Sequence, residues 1–481
     1  MKTKIFLCLL IMSGLLGSCN KFLEEPVDNR TLITTLPDME KTLNYLHPYS
    51  DHHFTDLMTD DYIFRDLSGH IVATAAEQTL PIFELAITRE SLAANQFLSS
   101  GFNPVTAFRR YYYRIINAWL LLEKAAAYKA VDEKEQKRLD VLTGKAKAIK
   151  AYCNYMLTTL FAKQYNPATA GADMSIPYVD KYYGEAVVAY KKVSMQQIFA
   201  SIEDDLVSAL SLVEDSEPVA TPFTMSKDAI LGLLTRVYLD KQDWDNCIKY
   251  ADELLKRRSV PLNVKQLRTS ITDYAQFSDK YFDPANPAYL LMGNNTYQLI
   301  AYFFSGMYPY PALQFMQENG ADDANNYIIQ TSALFRDYVP QKFGKFFNTA
   351  TRNFNLPLMT VDEVLFNRAE AYIRKNNGIT DEAKASLSLL ITNQNYNTTA
   401  ANNRINSMNT MTGLQPAMDL LLQVKRIRFS SEGMRWLDIK RHNIPVTHIG
   451  RSGTYTIDGT KTDAYVIQLP LEEITRNLGL E

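Results

Sequence analysis

The stretch Ser226–Arg258 constrains the fold most, because it has the pattern of two amphipathic helices joined by a tight polar turn. Apolar side chains recur at helical spacing before the turn, at Ile230, Leu233, Leu234, Val237 and Tyr238. A second apolar set follows the turn, at Trp244, Cys247, Ile248, Ala251, Leu254 and Leu255. Ser226 and Asp243 are residue types that cap the N-termini of helices. The stretch therefore predicts an antiparallel helix pair.

This pair has the order of residues that is typical of a tetratricopeptide repeat. Tyr238 on the first helix is followed by the small residues Cys247 and Ala251 on the second. We therefore expect Cys247 to be a buried packing residue rather than a reactive thiol, and Trp244 to pack inside the pair. Because one pair cannot bury both of its faces, the stretch also predicts neighbouring pairs.

Two further pairs fit the same pattern. Helical periods over 145–161 and 195–213 indicate one pair whose turn carries a long insertion, and those over 361–373 and 381–390 indicate another. A strong amphipathic helix is also expected over 108–127. The fold class is therefore mainly α, with three or more tetratricopeptide-like helix pairs and a large loop-rich subdomain inserted between them.

The inserted subdomain is the segment 263–341, which lacks a helical period and is rich in aromatic and polar residues. A loop-rich segment of this size is uncommon in a compact protein unless it has a function. Its tyrosines and asparagines are the candidate ligand-binding residues: Tyr281, Tyr289, Tyr297, Tyr302, Tyr308, Tyr310, Asn294 and Asn295. For any one tyrosine, the alternative is a place in the core of the segment. Aromatic residues of the N-terminal loop are the next candidates, together with one arginine: Phe54, Tyr62 and Arg65.

The first residues form a leader rather than part of the fold. Lys2 and Lys4 precede an apolar run at 5–16, which is too short to span a bilayer comfortably. The run ends in Leu-Leu-Gly-Ser-Cys, which is similar to a bacterial lipoprotein signal. We therefore expect 1–18 to be removed and Cys19 to be lipidated. The alternative is a plain secretory signal that happens to end in cysteine.

Charge and cysteine content exclude several classes of protein. The formal net charge is −3 and there is no basic block, which argues against nucleic acid as a partner. No Cys-x-x-Cys or Cys/His zinc spacing is present, so we expect neither a metal nor a cofactor. The segment 51–61 mixes histidines and carboxylates, and a solvated loop is favoured there over a metal site. A structural calcium ion would use the oxygen-bearing side chains of 322–326.

Several segments, in this order along the chain, resemble the SusD/RagB family of outer-membrane lipoproteins. The matching segments are 18–26 (S-C-N-K-F-L-E-E-P), Ile202–Val213, Ala229–Trp244, Met359–Tyr372, Ser431–Arg441 (S-E-G-M-R-W-L-D-I-K-R) and Pro470–Asn477. The resemblance extends over nearly the whole chain. It implies a signal peptide at 1–18, a SusD-like helical repeat region at 19–262, a candidate ligand-binding segment at 263–341 and a C-terminal SusD/RagB-like region at 342–481.

The resemblance also implies a function without catalysis. The expected protein is a surface-exposed, lipid-anchored lipoprotein of the outer membrane that captures oligosaccharides for a SusC-like TonB-dependent transporter. Peptides are the alternative ligands. From the residues alone, the other hypotheses are a lipid-anchored glycosidase and a helical-repeat scaffold for a protein partner. Glu432, Arg435 and Asp438 could suggest acid–base chemistry, but paired charges beside Trp436 favour a structural role.

Overall fold

The computed structural model describes most of the chain from residue 33 onwards. The described residues are 33–61, 63–64, 103–184, 188–213, 221–271, 273–296, 307–308, 328–330, 338–343, 353–394, 397–449 and 454–480. The leader, Cys19 and the calcium candidates at 322–326 lie outside these residues, as do Tyr62 and Arg65.

Helices dominate the described part of the chain, as the repeat pattern predicted. The first set of helices is α1 (Leu36–Tyr45), α2 (Pro104–Ala127), α3 (Glu133–Phe161), α4 (Met195–Leu212), α5 (Lys227–Asp240), α6 (Trp244–Arg257), α7 (Val264–Ser270) and α8 (Tyr274–Tyr281). The second set is α9 (Val361–Asn376), α10 (Asp381–Gln394), α11 (Thr398–Ser407), α12 (Leu414–Arg428), α13 (Arg435–His442) and α14 (Leu471–Arg476). A 3-10 turn at His53–Met58 follows α1.

The strands form two-stranded antiparallel ribbons rather than one large sheet. They are β1 (Ile63–Phe64), β2 (Met174–Pro177), β3 (Lys192–Ser194), β4 (Tyr289–Thr296), β5 (Met307–Tyr308), β6 (Ile328–Gln330), β7 (Tyr338–Pro340), β8 (Asn353–Thr360), β9 (Val446–Ile449) and β10 (Thr454–Ile457). The pairs are β1 with β5, β2 with β3, β4 with β8, β6 with β7 and β9 with β10. The longest ribbon, β4–β8, leads directly into α9.

The predicted repeat pairs are confirmed. Helix α3 packs against α4, α5 packs against α6, and α9 packs against both α6 and α10. The side chains of Ser226 and Asp243 cap α5 and α6 by accepting from backbone N–H groups. Cys247 is fully buried, and its burial raises the pKa of the thiol. It is therefore a packing residue, as expected.

Two details of the sequence-based prediction are wrong. Trp244 is only half-buried, because it is the first residue of α6 and lies at the edge of the pair. The segment 263–341 contains the helices α7 and α8, although no helical period was found there. Each has no more than eight residues, so the apolar pattern is too short to reveal it. Their capping residues Asn263 and Asp273 were the available signal.

A buried ion pair joins the second repeat pair to the third. Arg236 on α5 donates from Nε and Nη2 to the two carboxylate oxygens of Glu363 on α9, both at 2.6 Å. Arg236 also donates to the carbonyl oxygen of Leu358 on β8 at 2.7 Å. Both charged side chains are buried. Both charges lose their contact with water when the protein folds. Removing either side chain would therefore leave the other as a buried charge without a partner.

None of the described helices is long and apolar enough to cross a bilayer.

The Arg236→Met variant tests this connection. It leaves Glu363 buried without its cation, so we expect the free energy of unfolding to fall by about 3–5 kcal/mol. The matched control is Arg257→Met, which removes one of the two arginines that pair with Asp228 in a partly exposed cluster and should cost about 1 kcal/mol or less. Chemical denaturation measures both. Equal losses in the two variants would contradict a special role for the buried pair.

Candidate ligand-binding site

The segment that leads into β1 is buried, not solvated as the sequence suggested. His52, His53 and Asp56 are each no more than 3% exposed. The expectation failed because the charges that compensate this segment come from other parts of the chain: Arg110 and Arg114 pair with Asp51, and Arg426 and Arg435 pair with Asp61 and Asp60. Within the described residues, no three His, Cys, Asp or Glu side chains are placed to hold a metal ion.

Two arginines fix the chain immediately before β1. Arg435 on α13 donates from Nε and Nη2 to the two carboxylate oxygens of Asp60, at 2.9 and 2.8 Å. Arg426 on α12 donates from Nε to Asp61 at 2.6 Å. Because these two planar guanidinium groups lie on different helices, they restrict both the position and the direction of the chain at Asp60 and Asp61. β1 therefore begins from a rigid support.

A glycine makes the next connection possible. Gly433 has a φ of 75°, and a Cβ on it would come within 3.0 Å of the His52 ring. Its N–H donates to both carboxylate oxygens of Asp56, at 3.0 and 3.1 Å. Burial, together with the neighbouring charge of Asp61, raises the pKa of Asp56 well above its usual value. The Glu-Gly-Met-Arg stretch is thus a clamp on the N-terminal segment.

Glu432 is the centre of this clamp. It accepts hydrogen bonds from Lys342 Nζ at 2.7 Å, from the Tyr281 hydroxyl at 2.6 Å and from Arg428 Nη1 at 3.2 Å. Burial alone would raise the pKa of Glu432, but the charges of Lys342 and Arg428 outweigh burial and keep it below its usual value. A general acid needs the opposite shift. The arrangement is therefore a structural ion cluster, and Lys342 fixes the end of the tyrosine-rich segment to it.

The candidate stacking residues do not all share one environment. Tyr281 and Tyr289 are 3% and 1% exposed, and the Tyr289 hydroxyl donates to the carbonyl oxygen of Tyr281. Their rings belong to the core, which was the alternative reading of each, so neither offers a face to a ligand in this structure. Phe54, the fallback residue of the N-terminal loop, is also fully buried. Three further candidates lie outside the described residues: Tyr297, Tyr302 and Tyr310.

The backbone brings the remaining tyrosine beside the N-terminal segment. In the β1–β5 ribbon, Tyr308 is opposite Ile63 and Met307 is opposite Phe64. Strand β9 also lies beside β1. Asn294 and Asn295 are in β4, opposite Asn355 and Phe354. The β1–β5 ribbon therefore pairs the tyrosine-rich segment with the N-terminal segment, the two places where the sequence offered candidate binding residues.

A groove of about 640 Å³ opens between α12 and α13 behind this edge. Arg426, Arg435 and Arg441 contribute to its lining. Each of them is already bound to a carboxylate, and Arg441 is bound to Glu370 with Nη1 and Nη2 at 2.6 and 2.7 Å. The positive charge of these three arginines is therefore balanced within the protein. The sequence predicted a structural role for Arg435 but did not point to Arg426 or Arg441, although the Asp60–Asp61 doublet was a signal of a required pair of cations.

The loop after α1 is bound to β4. His47 Nε2 lies 2.6 Å from the carbonyl oxygen of Met292. Burial lowers the pKa of His47 to about 4, although the hydrogen bond to Met292 opposes the change. The neutral ring with its proton on Nε2 is therefore the form that donates to the strand at neutral pH.

Comparisons with known proteins agree with this fold. A sequence model of a SusD-like family, described as "Starch-binding associating with outer membrane", matches residues 21–239. A SusD superfamily protein from Bacteroides thetaiotaomicron VPI-5482 superposes with a TM-score of 0.72 at 17% identity, covering 93% of this chain and 99% of that one. No curated protein sequence matches the chain.

Two other proteins of similar structure are described as carbohydrate-binding or laminarin-binding. A SusD-like carbohydrate-binding protein from Bacteroides vulgatus ATCC 8482 has a TM-score of 0.68 at 16% identity, covering 93% of this chain and 97% of that one. A laminarin-binding SusD-like protein has a TM-score of 0.58 at 15% identity, covering 84% of this chain and 90% of that one. The sequence similarity over residues 21–239 and the shared fold together show that the chain is similar to SusD-like proteins.

The buried state of His47 predicts a pH dependence that the His47→Gln variant isolates. Between the unfolded pKa of about 6.5 and the folded pKa of about 4, only the unfolded chain takes up the proton. The wild type should therefore lose about 2 kcal/mol of stability relative to the variant as the pH falls from about 7 to about 5. Denaturation of both proteins at each pH measures this difference. A difference that stays constant with pH would contradict the assignment.

Proposed function

We propose that this chain is a cell-surface lipoprotein that captures oligosaccharides and delivers them to a SusC-like TonB-dependent transporter of the outer membrane. The ligand binds at the edge formed by β1 and β5. The observation that carries the proposal is the register of β1 with β5, which joins the tyrosine-rich segment to the N-terminal segment. Both segments are held by the cluster around Glu432.

The residue types at this edge suit sugars. A pyranose ring has apolar C–H faces that pack on an aromatic ring, and its hydroxyl groups need both donors and acceptors. Tyr308 is of a residue type that can stack on such a ring, and the candidates Asn294 and Asn295 in β4 are of a type whose amide both donates and accepts. The tyrosines outside the described residues remain candidates for further stacking positions: Tyr297, Tyr302 and Tyr310.

We do not propose that this chain hydrolyses glycosides. A glycosidase needs a carboxylic acid of raised pKa near a second carboxylate. Glu432 and Asp438 are both buried, and Asp438 accepts from Lys425 Nζ at 2.7 Å. Burial raises the pKa of Asp438, but the charges of Lys425 and Arg441 outweigh it and lower the pKa. Neither residue can supply a proton at neutral pH.

Glycan binding and the Tyr308→Ala variant test the proposal. The probes are maltoheptaose and laminarin. Maltoheptaose is chosen because the matching family is described as starch-binding, and laminarin because one structurally similar protein is described as binding it. We expect the mature chain to bind at least one of them, and Tyr308→Ala to weaken binding about three- to tenfold, since stacking contributes about 0.5–1.5 kcal/mol. Isothermal titration calorimetry measures the affinity.

Tyr308→Phe is the matched control, because it keeps the ring and should bind within about twofold of the wild type. Cleavage of either glycan would contradict the absence of catalysis. Binding of a peptide digest, with no binding of either glycan, would favour the alternative ligand class.

The anchor and the transporter are tested in cells. Cys19→Ala removes the proposed lipid attachment, so in cells that lack the transporter we expect the variant to leave the outer-membrane fraction. With the transporter present, a tagged wild-type chain should retrieve it from detergent-solubilised membranes. Cys247→Ala is a suitable control, because that thiol is buried in the repeat. An unchanged membrane fraction for Cys19→Ala without the transporter would refute the anchor.

A further inference from the structure

An exposed tyrosine ring with a rigid support lies in the loop after α1. Tyr49 is 42% exposed, whereas Arg114 beneath it is 3% exposed. The Arg114 guanidinium carbon lies 4.9 Å from the centre of the Tyr49 ring. Arg114 therefore supports the Tyr49 ring by a cation–π contact, while Tyr49 stays exposed.

Several hydrogen bonds hold Arg114 in place independently of Tyr49. Arg114 Nη1 donates to Asp51 at 2.9 Å and to the carbonyl oxygen of Arg110 at 3.1 Å. Its Nε donates to the carbonyl oxygen of His47 at 3.3 Å. Arg110 binds the other oxygen of Asp51 at 2.7 Å. The support of the ring is therefore fixed before any ligand arrives, and removing the ring leaves Arg114 with its partners.

The strand that carries two candidate amides passes directly beside this loop. A Cβ added to Gly293 would lie 3.0 Å from Pro48 O, Ser50 N and Tyr49 C. Asn294 and Asn295 follow Gly293 in β4. The backbone of β4 therefore packs directly against the loop that carries Tyr49.

We propose that Tyr49 is a stacking residue for a neutral pyranose ring of the oligosaccharide. Arg114 holds the Tyr49 ring in place, and Tyr49 is exposed, so a sugar can pack on it with little loss of conformational freedom. This inference rests on the proposed function and adds a residue that sequence reasoning did not select.

The test compares Tyr49→Ala with Tyr49→Phe, using maltoheptaose and laminarin as probes. We expect Tyr49→Ala to weaken the affinity for the bound glycan about three- to tenfold and Tyr49→Phe to stay within about twofold. Both variants should keep the wild-type melting temperature, since Arg114 retains its hydrogen bonds. Tyr183→Ala is the control: this tyrosine is 37% exposed in the β2–β3 connection and should bind as the wild type does.

The outcomes separate the two claims. If neither glycan binds to the wild type, the proposed function fails and this inference fails with it. If the wild type binds and Tyr308→Ala weakens binding while Tyr49→Ala does not, the inference is overturned and the proposed function stands. A loss of affinity in Tyr49→Ala that accompanies an equal loss of thermal stability assigns the ring to packing, which also overturns the inference.

Discussion

The buried carboxylate of Glu432 is the interaction on which the candidate site depends. It holds Lys342 from the end of the tyrosine-rich segment, Tyr281 from α8 and Arg428 from α12. The adjacent Gly433 holds Asp56 in the turn that leads to β1. Because a charge in the interior requires a partner, these segments cannot separate without a large loss of stability. The cluster thus connects parts of the chain that are hundreds of residues apart and brings their free ends to one edge.

The electrostatics of this cluster do not favour acid–base catalysis by Glu432. A carboxylate that accepts from a lysine, an arginine and a tyrosine is stabilised in its charged form, so Glu432 is a poor proton donor. Chemistry with sugars at the proposed edge is then limited to stacking and hydrogen bonding. Such contacts are individually weak, which suits the proposed role of capturing a ligand and releasing it to a transporter. The ion cluster around Glu432 fixes the positions of the chain segments, and the proposed β1–β5 edge would contact the sugar.

The local parts of this structure could be predicted from the sequence, and the long-range parts could not. The period of Ser226–Arg258 predicts its two helices, because every residue of the pattern lies within one repeat. Nothing local distinguishes Tyr281 or Tyr289 from a surface tyrosine, since their burial depends on packing against distant parts of the chain. The pairing of Asp60 with Arg435 spans 375 residues, so its charge compensation has no sequence period. The sequence did not point to Tyr49, because its support, Arg114, lies far along the chain on α2.

A co-crystal structure of the mature chain with the glycan that it binds would test the central claim most directly. The account predicts sugar density along the β1–β5 edge, with one sugar ring packed on Tyr49. It also predicts that no sugar atom lies within hydrogen-bond distance of Glu432, which stays enclosed by Lys342 and Arg428. Density in the groove between α12 and α13, or against Glu432 itself, would contradict the account.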